Sequence, residues 1–102
     1  YLIRNENATF IVKANSLSML DAGIDINDPL IVDRSIPAKS GDIVIALIDN
    51  DFTVKRLMID SQFHPPKVWL KAENPDYQNI YIEEGQELVI WGVVTYNLKR
   101  MR

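Results

Sequence analysis

Short runs of alternating apolar and polar residues cover most of this chain, and a period of two is typical of β-strands with one buried face. In residues 9–14, for example, Phe10 and Val12 share a face. The runs are too short for helices, and turn sequences such as Asn27-Asp28-Pro29 separate them. The pattern predicts seven strands, over residues 9–14, 30–33, 43–48, 52–58, 67–70, 79–82 and 87–98.

Residues 18–22 depart from this pattern and predict one short helical turn. Ser18 is a favourable N-cap, Asp21 follows three residues later, and Gly23 is suited to ending the turn. We therefore expect a mainly β fold, built from two curled antiparallel sheets of short strands with this single helical turn.

Composition narrows the classes of protein that fit. The 102 residues suffice for one domain, over 1–102, with a single core. No apolar stretch approaches the roughly 18 residues of a membrane span. The chain has no cysteine, which excludes disulfides and thiolate nucleophiles and agrees with a cytoplasmic location. Its net charge of −3 argues against direct nucleic-acid binding, since phosphate contacts need a basic face. We expect no membrane association, metal or organic cofactor.

Few side chains offer acid–base chemistry. The single histidine, His64, lies in a loop-forming Phe-His-Pro-Pro segment, where a solvated histidine is the simpler interpretation. Two carboxylate pairs flank predicted turns, where solvated turn residues are the better interpretation; the pairs are Asp49 with Asp51 and Glu83 with Glu84. A third acidic group lacks the glycine and the terminal glutamate of a calcium loop; it comprises Asp21, Asp25 and Asp28.

Ser18 and Lys55 form the one pair that fits a reaction. The hydroxyl of Ser18 and nearby backbone N–H groups would converge at the start of the helical turn, where an oxyanion is stabilised. Lys55 lies mid-strand among apolar neighbours. Burial that lowers its pKa by about three units, at a cost of roughly 4 kcal/mol, leaves a neutral amine that can activate a serine. The alternatives are an N-cap serine and a lysine whose ammonium reaches water.

A series of motifs follows one order along the chain. VKANSLSM at 12–19 is followed by DAGI at 21–24, LIVD at 30–33, SGDIVIA at 40–46, FTVKRL at 52–57, ENPDY at 73–77 and WGVV at 91–94. In this order and spacing they resemble the LexA/UmuD family of self-cleaving serine peptidases over nearly the whole chain. The ending LKRMR at 98–102 resembles the UmuD branch, whose processed form is the accessory subunit of error-prone DNA polymerase V.

The resemblance assigns roles to particular residues. It implies Ser18 as the nucleophile, Lys55 as its general base and the backbone N–H groups of Leu17 and Ser18 as the oxyanion hole. Thr53 shares the strand face of Lys55, which makes it either a hydrogen-bond partner of the amine or an ordinary strand threonine. The family usually has glycine two residues before the nucleophile, where this chain has Ser16.

The resemblance also implies a cellular role. Family members cut their own N-terminal arm at an Ala-Gly or Cys-Gly bond. The one Ala-Gly pair here, Ala22-Gly23, lies in the nucleophile's own turn, so we expect this chain to correspond to the cleaved form. It would act in SOS mutagenesis as a homodimer bound to a Y-family translesion polymerase, with cleavage of the intact protein stimulated by the RecA–DNA filament. The alternative is the autoproteolysis and dimerisation domain of a LexA-like or phage-type repressor.

Residues 87–98 carry the prediction of a homodimer. The strand is apolar on both faces, with Trp91 at its centre. A strand near the end of a chain is often at a sheet edge, and an apolar edge needs a partner. We therefore expect a dimer formed through this strand, with a central, fully covered strand as the alternative.

Overall fold

The computed structural model describes residues 8–99, which form seven β-strands and one short 3₁₀ turn. The strands are β1 (Thr9–Lys13), β2 (Pro29–Asp33), β3 (Ile43–Ile48), β4 (Asp51–Asp60), β5 (Lys67–Lys71), β6 (Ile80–Tyr81) and β7 (Leu88–Asn97). They form one antiparallel sheet in the order β1-β2-β7-β3-β4-β5-β6. The predicted mainly β class is confirmed. The expected division into two sheets is not found, because β7 joins the two halves.

Strand β7 lies in the interior of the sheet, hydrogen-bonded to β2 on one side and to β3 on the other. The prediction that it forms a sheet edge is therefore wrong. Strand β7 is apolar on both faces because each face contacts a hydrophobic cluster. Trp91 packs against the cluster on one face, and Val93 belongs to the cluster on the other. Gly92 is needed between them, since a Cβ there would lie 2.5 Å from Val32 Cγ1 of β2.

The two hydrophobic clusters take alternate residues of β3, because successive side chains of a strand point to opposite faces. Ile45 belongs to the first cluster, whose buried members are Ala14, Met19, Ile24, Leu30, Val32 and Ile45. Val44 and Ala46 belong to the second, whose buried members are Val44, Ala46, Leu57, Leu70 and Val93. Since Met19 is in the first cluster, the residue that follows Ser18 anchors its segment in the core.

The helical turn is shorter than the predicted 18–22. It comprises Leu20–Ala22, and its N-cap position is Met19, with no side-chain capping hydrogen bond. The predicted N-cap role of Ser18 is wrong, because the Ser18 hydroxyl bonds to other side chains. Gly23 ends the turn as predicted, with a φ of 86° in the left-handed region. No helix within residues 8–99 has the length and hydrophobicity needed to cross a membrane.

The turn predicted between Asp49 and Asp51 is a hairpin turn that joins β3 and β4, with Asp49 and Asn50 at its centre and φ angles of 49° and 74°. Positive φ at both central residues is typical of two-residue hairpin turns, and Asp and Asn tolerate it. The resulting register pairs Lys55 of β4 with Val44 of β3, which is fully buried. The turn therefore determines that Lys55 enters an apolar neighbourhood.

Candidate active site

Ser18 and Lys55 lie side by side although 37 positions separate them in the chain. Ser18 lies in the loop after β1, and Lys55 lies in the middle of β4. The distance from Lys55 Nζ to Ser18 Oγ is 2.8 Å. The exposed fractions of the two residues are 1% for Ser18 and 6% for Lys55. The structure thus brings the two predicted residues together in a site shielded from bulk solvent.

Three oxygen atoms surround the Lys55 amine. Besides Ser18 Oγ they are Thr53 Oγ1, at 2.6 Å, and the Val54 carbonyl oxygen, at 3.2 Å. Thr53 is within reach because it lies two residues from Lys55 on the same face of β4. The sequence indicates Thr53 as a partner of the amine but not Val54, because a backbone carbonyl belongs to every residue.

Lys55 is buried without a counter-charge. Among residues 8–99, no carboxylate lies within ion-pair distance of its amine. Burial lowers the pKa of Lys55 below its ordinary value of 10.5, because the ammonium form loses its hydration. Burial thus makes the ammonium easier to deprotonate, and the neutral amine is the form that can accept a proton.

Ser16 adds a second hydroxyl to the site. Its Oγ lies 3.0 Å from Ser18 Oγ and accepts a 3.3 Å hydrogen bond from the backbone N–H of Ser18. In the sequence this residue is conspicuous only because the family usually has glycine there. Its side chain contacts both the candidate nucleophile and one of the two N–H groups assigned to the oxyanion hole.

Residues 73 and 74 hold the Ser18 segment in place. The Glu73 N–H donates to the Ser18 carbonyl at 2.9 Å, and the Glu73 carbonyl accepts a bond from the Asp21 N–H at 2.7 Å. Asn74 Nδ2 donates to the Leu17 carbonyl at 2.8 Å. Because a peptide unit is planar, the bond to the Leu17 carbonyl also orients the Ser18 N–H, which points the opposite way.

Arg56 connects β4, the strand that carries Lys55, to the loop after β5 that contains Glu73. Its Nε donates to Glu73 Oε1 at 2.7 Å, and its Nη1 donates to the Gly41 carbonyl at 2.5 Å. Successive residues of β4 thus supply the candidate base and the side chain that holds the neighbouring loop. Sequence reasoning missed Arg56, Glu73 and Asn74 as positioning residues; the ENPDY motif is the signal that points to the last two.

An apolar cleft of about 340 Å³ opens next to Thr53, the hydrogen-bond partner of Lys55. Residues of four strands line it, mainly Val12, Ile45, Phe52, Val54 and Trp91. Thr53 lines this cleft and also accepts the hydrogen bond from Lys55, so Thr53 connects the cleft with the site, although Ser18 and Lys55 do not line it. Its size and lining suit apolar side chains of a bound peptide.

The other acid–base candidates lie elsewhere. His64 is exposed between β4 and β5, and Asp49, Asp51, Glu83 and Glu84 are exposed at or beside turns. Asp28 hydrogen-bonds to the Asp25 N–H, as in a turn. Within the part of the chain that the structure describes, no three His, Cys, Asp or Glu side chains are grouped so that they could hold a metal ion.

A buried serine beside a lysine that lacks an acidic partner is the arrangement found in serine peptidases that use lysine as the base. The chain belongs to the Peptidase S24-like family, which it matches over residues 1–95. This membership, with the relatives described next, confirms the resemblance to the LexA/UmuD family.

Three relatives illustrate the range of the family. Protein MucA of Salmonella typhimurium is 42% identical over 99 residues, which cover 96% of this chain and 64% of MucA. Protein ImpA of the same species is 39% identical over 102 residues, covering 100% and 66%. The LexA repressor of Paraburkholderia xenovorans is 45% identical over 85 residues, covering 82% and 38%. The chain therefore spans just under two thirds of MucA and ImpA.

Proposed function

We propose that this chain is the catalytic domain of a self-cleaving serine peptidase that uses Ser18 as the nucleophile and Lys55 as the general base. The observation that carries the proposal is the 2.8 Å contact between Ser18 Oγ and a buried Lys55 amine without a carboxylate partner among residues 8–99. Membership of a peptidase family supports it.

The three oxygens around Lys55 suit both protonation states of the amine. A neutral amine has two N–H donors and one lone pair. If the two N–H groups donate to Thr53 Oγ1 and the Val54 carbonyl, the lone pair faces the Ser18 hydroxyl. After proton transfer, the ammonium donates to all three oxygens. None of the heavy atoms around the amine has to move when the proton does.

The reaction follows from this geometry. Ser18 Oγ attacks the scissile carbonyl carbon, a C–O bond forms, and the Ser18 proton passes to Lys55 Nζ. When the C–N bond breaks, the Lys55 ammonium returns the proton to the leaving amine. A water molecule then attacks the ester carbonyl carbon and gives a proton to Lys55. When the ester C–O bond to Ser18 breaks, Lys55 passes this proton to Ser18 Oγ, which releases the carboxylic acid and restores the Ser18 hydroxyl and the neutral amine.

The backbone N–H groups of Leu17 and Ser18 would stabilise the negative charge that develops on the scissile carbonyl oxygen. Support from a helix dipole is not available, because the nearby turn is only three residues long. Preorganised individual N–H groups replace it, and the bond from Asn74 to the Leu17 carbonyl supplies part of that preorganisation.

Self-cleavage tests the proposal in a chain extended upstream of Tyr1 by an arm that contains an Ala-Gly bond. The unmodified extended chain should be cut at this bond, at a rate that rises with pH as Lys55 loses its proton. Ser18→Ala and Lys55→Ala should each stay uncut, because removing either member of a catalytic unit costs about as much as removing both. Electrophoresis measures the cleavage, and thermal unfolding verifies that each variant is folded.

A fluorophosphonate gives a second readout that needs no arm. Ser18 Oγ attacks phosphorus, an O–P bond forms, fluoride leaves, and the proton passes to Lys55, so that labelling appears as added mass on Ser18. Ser61→Ala, which changes an exposed turn serine, is the matched control and should label normally. Cleavage or labelling that survives in folded Ser18→Ala or Lys55→Ala contradicts the proposal.

We propose further that the protein acts in SOS mutagenesis as the accessory subunit of a Y-family translesion polymerase, after cleavage stimulated by the RecA–DNA filament. The extent of the MucA and ImpA matches, over 96% and 100% of the chain, supports this role over that of a repressor, because the LexA match covers 82%. The 45% identity to a LexA repressor is the observation that favours the alternative, a repressor's autoproteolysis domain.

Genetic complementation separates these two roles. Expression of the complete gene should restore damage-induced mutagenesis in bacteria that lack their own accessory subunit, and Ser18→Ala should reduce the effect. Sequence-specific operator binding by the intact gene product, together with failure to complement, would instead favour the repressor.

We propose that the homodimer forms on the side of the sheet that ends at β1. Ile11 of β1 pairs with Ile31 of β2, which pairs with Tyr96 of β7, so one apolar row crosses three strands. Ile11 is 63% exposed and Tyr96 is 50% exposed, and burying them against a second copy is favourable. Sedimentation at micromolar concentration should show a dimer for the unmodified chain and a monomer for Ile11→Asp. A monomeric unmodified chain contradicts this proposal.

A further inference from the structure

The Ser16 hydroxyl lies where the proposed reaction needs a different oxygen. Its Oγ is 3.0 Å from Ser18 Oγ and 3.3 Å from the Ser18 backbone nitrogen. A scissile carbonyl oxygen must also lie near the nucleophile and within about 2.7–3.1 Å of the oxyanion-hole donors. The two oxygens therefore compete for the same N–H group and the same space.

We propose that Ser16 blocks the oxyanion hole in the resting domain, and that its side chain must rotate away before a substrate carbonyl can be polarised. This inference rests on the proposed Ser18–Lys55 chemistry. Ser16 is a positioning residue, because it acts through Ser18 and takes no part in bond formation. The neighbouring backbone is held by Glu73 and Asn74, so one side-chain torsion is enough to release the block.

Ser16 also competes for the proton of the nucleophile. When Lys55 is charged, its amine donates to Ser18 Oγ, and the Ser18 hydroxyl can donate to Ser16 Oγ. When Lys55 is neutral, the Ser18 hydroxyl must turn toward the amine to lose its proton. The Ser16 hydroxyl thus opposes the reaction in two ways: it occupies the Ser18 N–H, and it accepts the hydroxyl proton that Ser18 must give to Lys55. Each contact has the strength of one neutral hydrogen bond.

The rate of Ser18 labelling by a fluorophosphonate tests the inference, because the P=O oxygen of this reagent must enter the blocked position. Ser16→Ala should label about 3- to 10-fold faster than the unmodified chain, the rate equivalent of one neutral hydrogen bond. Ser16→Gly also lacks the hydroxyl and should show the same increase. Ser16→Thr restores a hydroxyl and should label at the original rate, and Ser61→Ala is the control for removing a serine elsewhere.

The outcomes separate the inference from the proposed function. An unchanged or slower rate in folded Ser16→Ala and Ser16→Gly, with labelling abolished in Ser18→Ala and Lys55→Ala, overturns the inference and leaves the dyad standing. A purely structural role for Ser16 would lower the labelling rate and the thermal unfolding midpoint together. Failure of Ser18 to label in both the unmodified chain and Ser16→Ala overturns the proposed function, and the inference with it.

Discussion

Two lysines connect distant parts of this domain in opposite electrostatic settings. Lys55 is 6% exposed and meets only uncharged oxygens, from Ser18, Thr53 and Val54. The side chain of Lys99, which follows β7, is 36% exposed and lies 3.4 Å from Asp28 Oδ2. The first contact crosses from β4 to the Ser18 loop, and the second crosses from the end of β7 to the turn before β2.

The pKa of Lys55 and the pKa of Asp28, the partner of Lys99, are both lowered, but for different reasons. Burial alone acts on Lys55, and its pKa falls. At Asp28 burial favours the neutral acid, but hydrogen bonds from Asn97 and the Asp25 N–H, together with the charge of Lys99, outweigh it and lower the pKa of the carboxyl. Lys99, which has a carboxylate partner, therefore forms a structural ion pair. Lys55, which is buried without one among residues 8–99, is the candidate base.

Exchange of each lysine for arginine should give the largest contrast. Lys55→Arg should reduce Ser18 labelling about 10²- to 10⁴-fold, the usual contribution of a general base, because guanidinium keeps its proton. Lys99→Arg should label normally, since a guanidinium serves equally well as a partner of Asp28. Mass spectrometry of the labelled chains measures both rates. Normal labelling in Lys55→Arg would show that position 55 supplies only positive charge.

Thr53→Val should have the next largest effect. It removes one of the three oxygens that orient the Lys55 amine, and labelling should slow about 10- to 100-fold, as for the loss of a hydrogen bond to a charged group. Thr53→Ser keeps the oxygen and is the matched control. Because an acceptor of the ammonium is lost, the pH midpoint of labelling should also move lower in Thr53→Val. Equal rates and midpoints in both variants would show that Thr53 is an ordinary strand residue.

The lowered pKa of Lys55 also predicts how stability depends on pH. Below its folded pKa, Lys55 is charged in both states, and folding bears the full cost of burying the charge. Between that pKa and 10.5 the unfolded chain binds the additional proton, so stability rises with pH. Lys55→Met lacks this linkage. At lower pH, Lys55→Met should have a larger free energy of unfolding than the unmodified chain, because it buries no charge. This difference should narrow as pH approaches 10.5, and urea titrations at several pH values measure it.

Asp28→Asn should have the smallest effect. It weakens the contacts with Lys99 and the Asp25 N–H and should lower stability by about 1 kcal/mol at neutral pH. Since the pKa of Asp28 is lowered on folding, its contribution is present above the ordinary value of 3.8 and is lost as pH falls through the folded pKa. The difference between the two proteins should therefore disappear in acid. A difference that persists there would assign the effect to packing.

Local patterns predicted the strands well. Each of the seven predicted segments overlaps an observed strand, and the turn at Asp49 and Asn50 and the end of the helical turn at Gly23 were also predicted. These features depend on side-chain alternation and backbone preference over a few residues. The N-cap assignment failed because the turn begins one residue later, with Met19 as its N-cap, and the Ser18 hydroxyl bonds instead to the Lys55 amine of β4, a contact that no local pattern reveals.

The candidate site was only partly accessible to the same reasoning. Ser18, Lys55 and Thr53 were indicated by residue type, strand position and motif order, and their catalytic roles remain predictions. Ser16 was visible only as an unusual residue. Arg56, Glu73 and Asn74 were missed as positioning residues, because their importance comes from backbone groups that they reach across the fold.

The sequence by itself determined the mainly β class, the approximate strands and the family, because alternation, turn chemistry and motif order are written in neighbouring residues. Only the tertiary structure decided that β7 is an interior strand, that all seven strands share one sheet, and that Lys55 is buried against Ser18 without a carboxylate among residues 8–99. The physical reason is that burial and the absence of a counter-charge depend on every segment packed around a side chain, and those segments are distant in sequence.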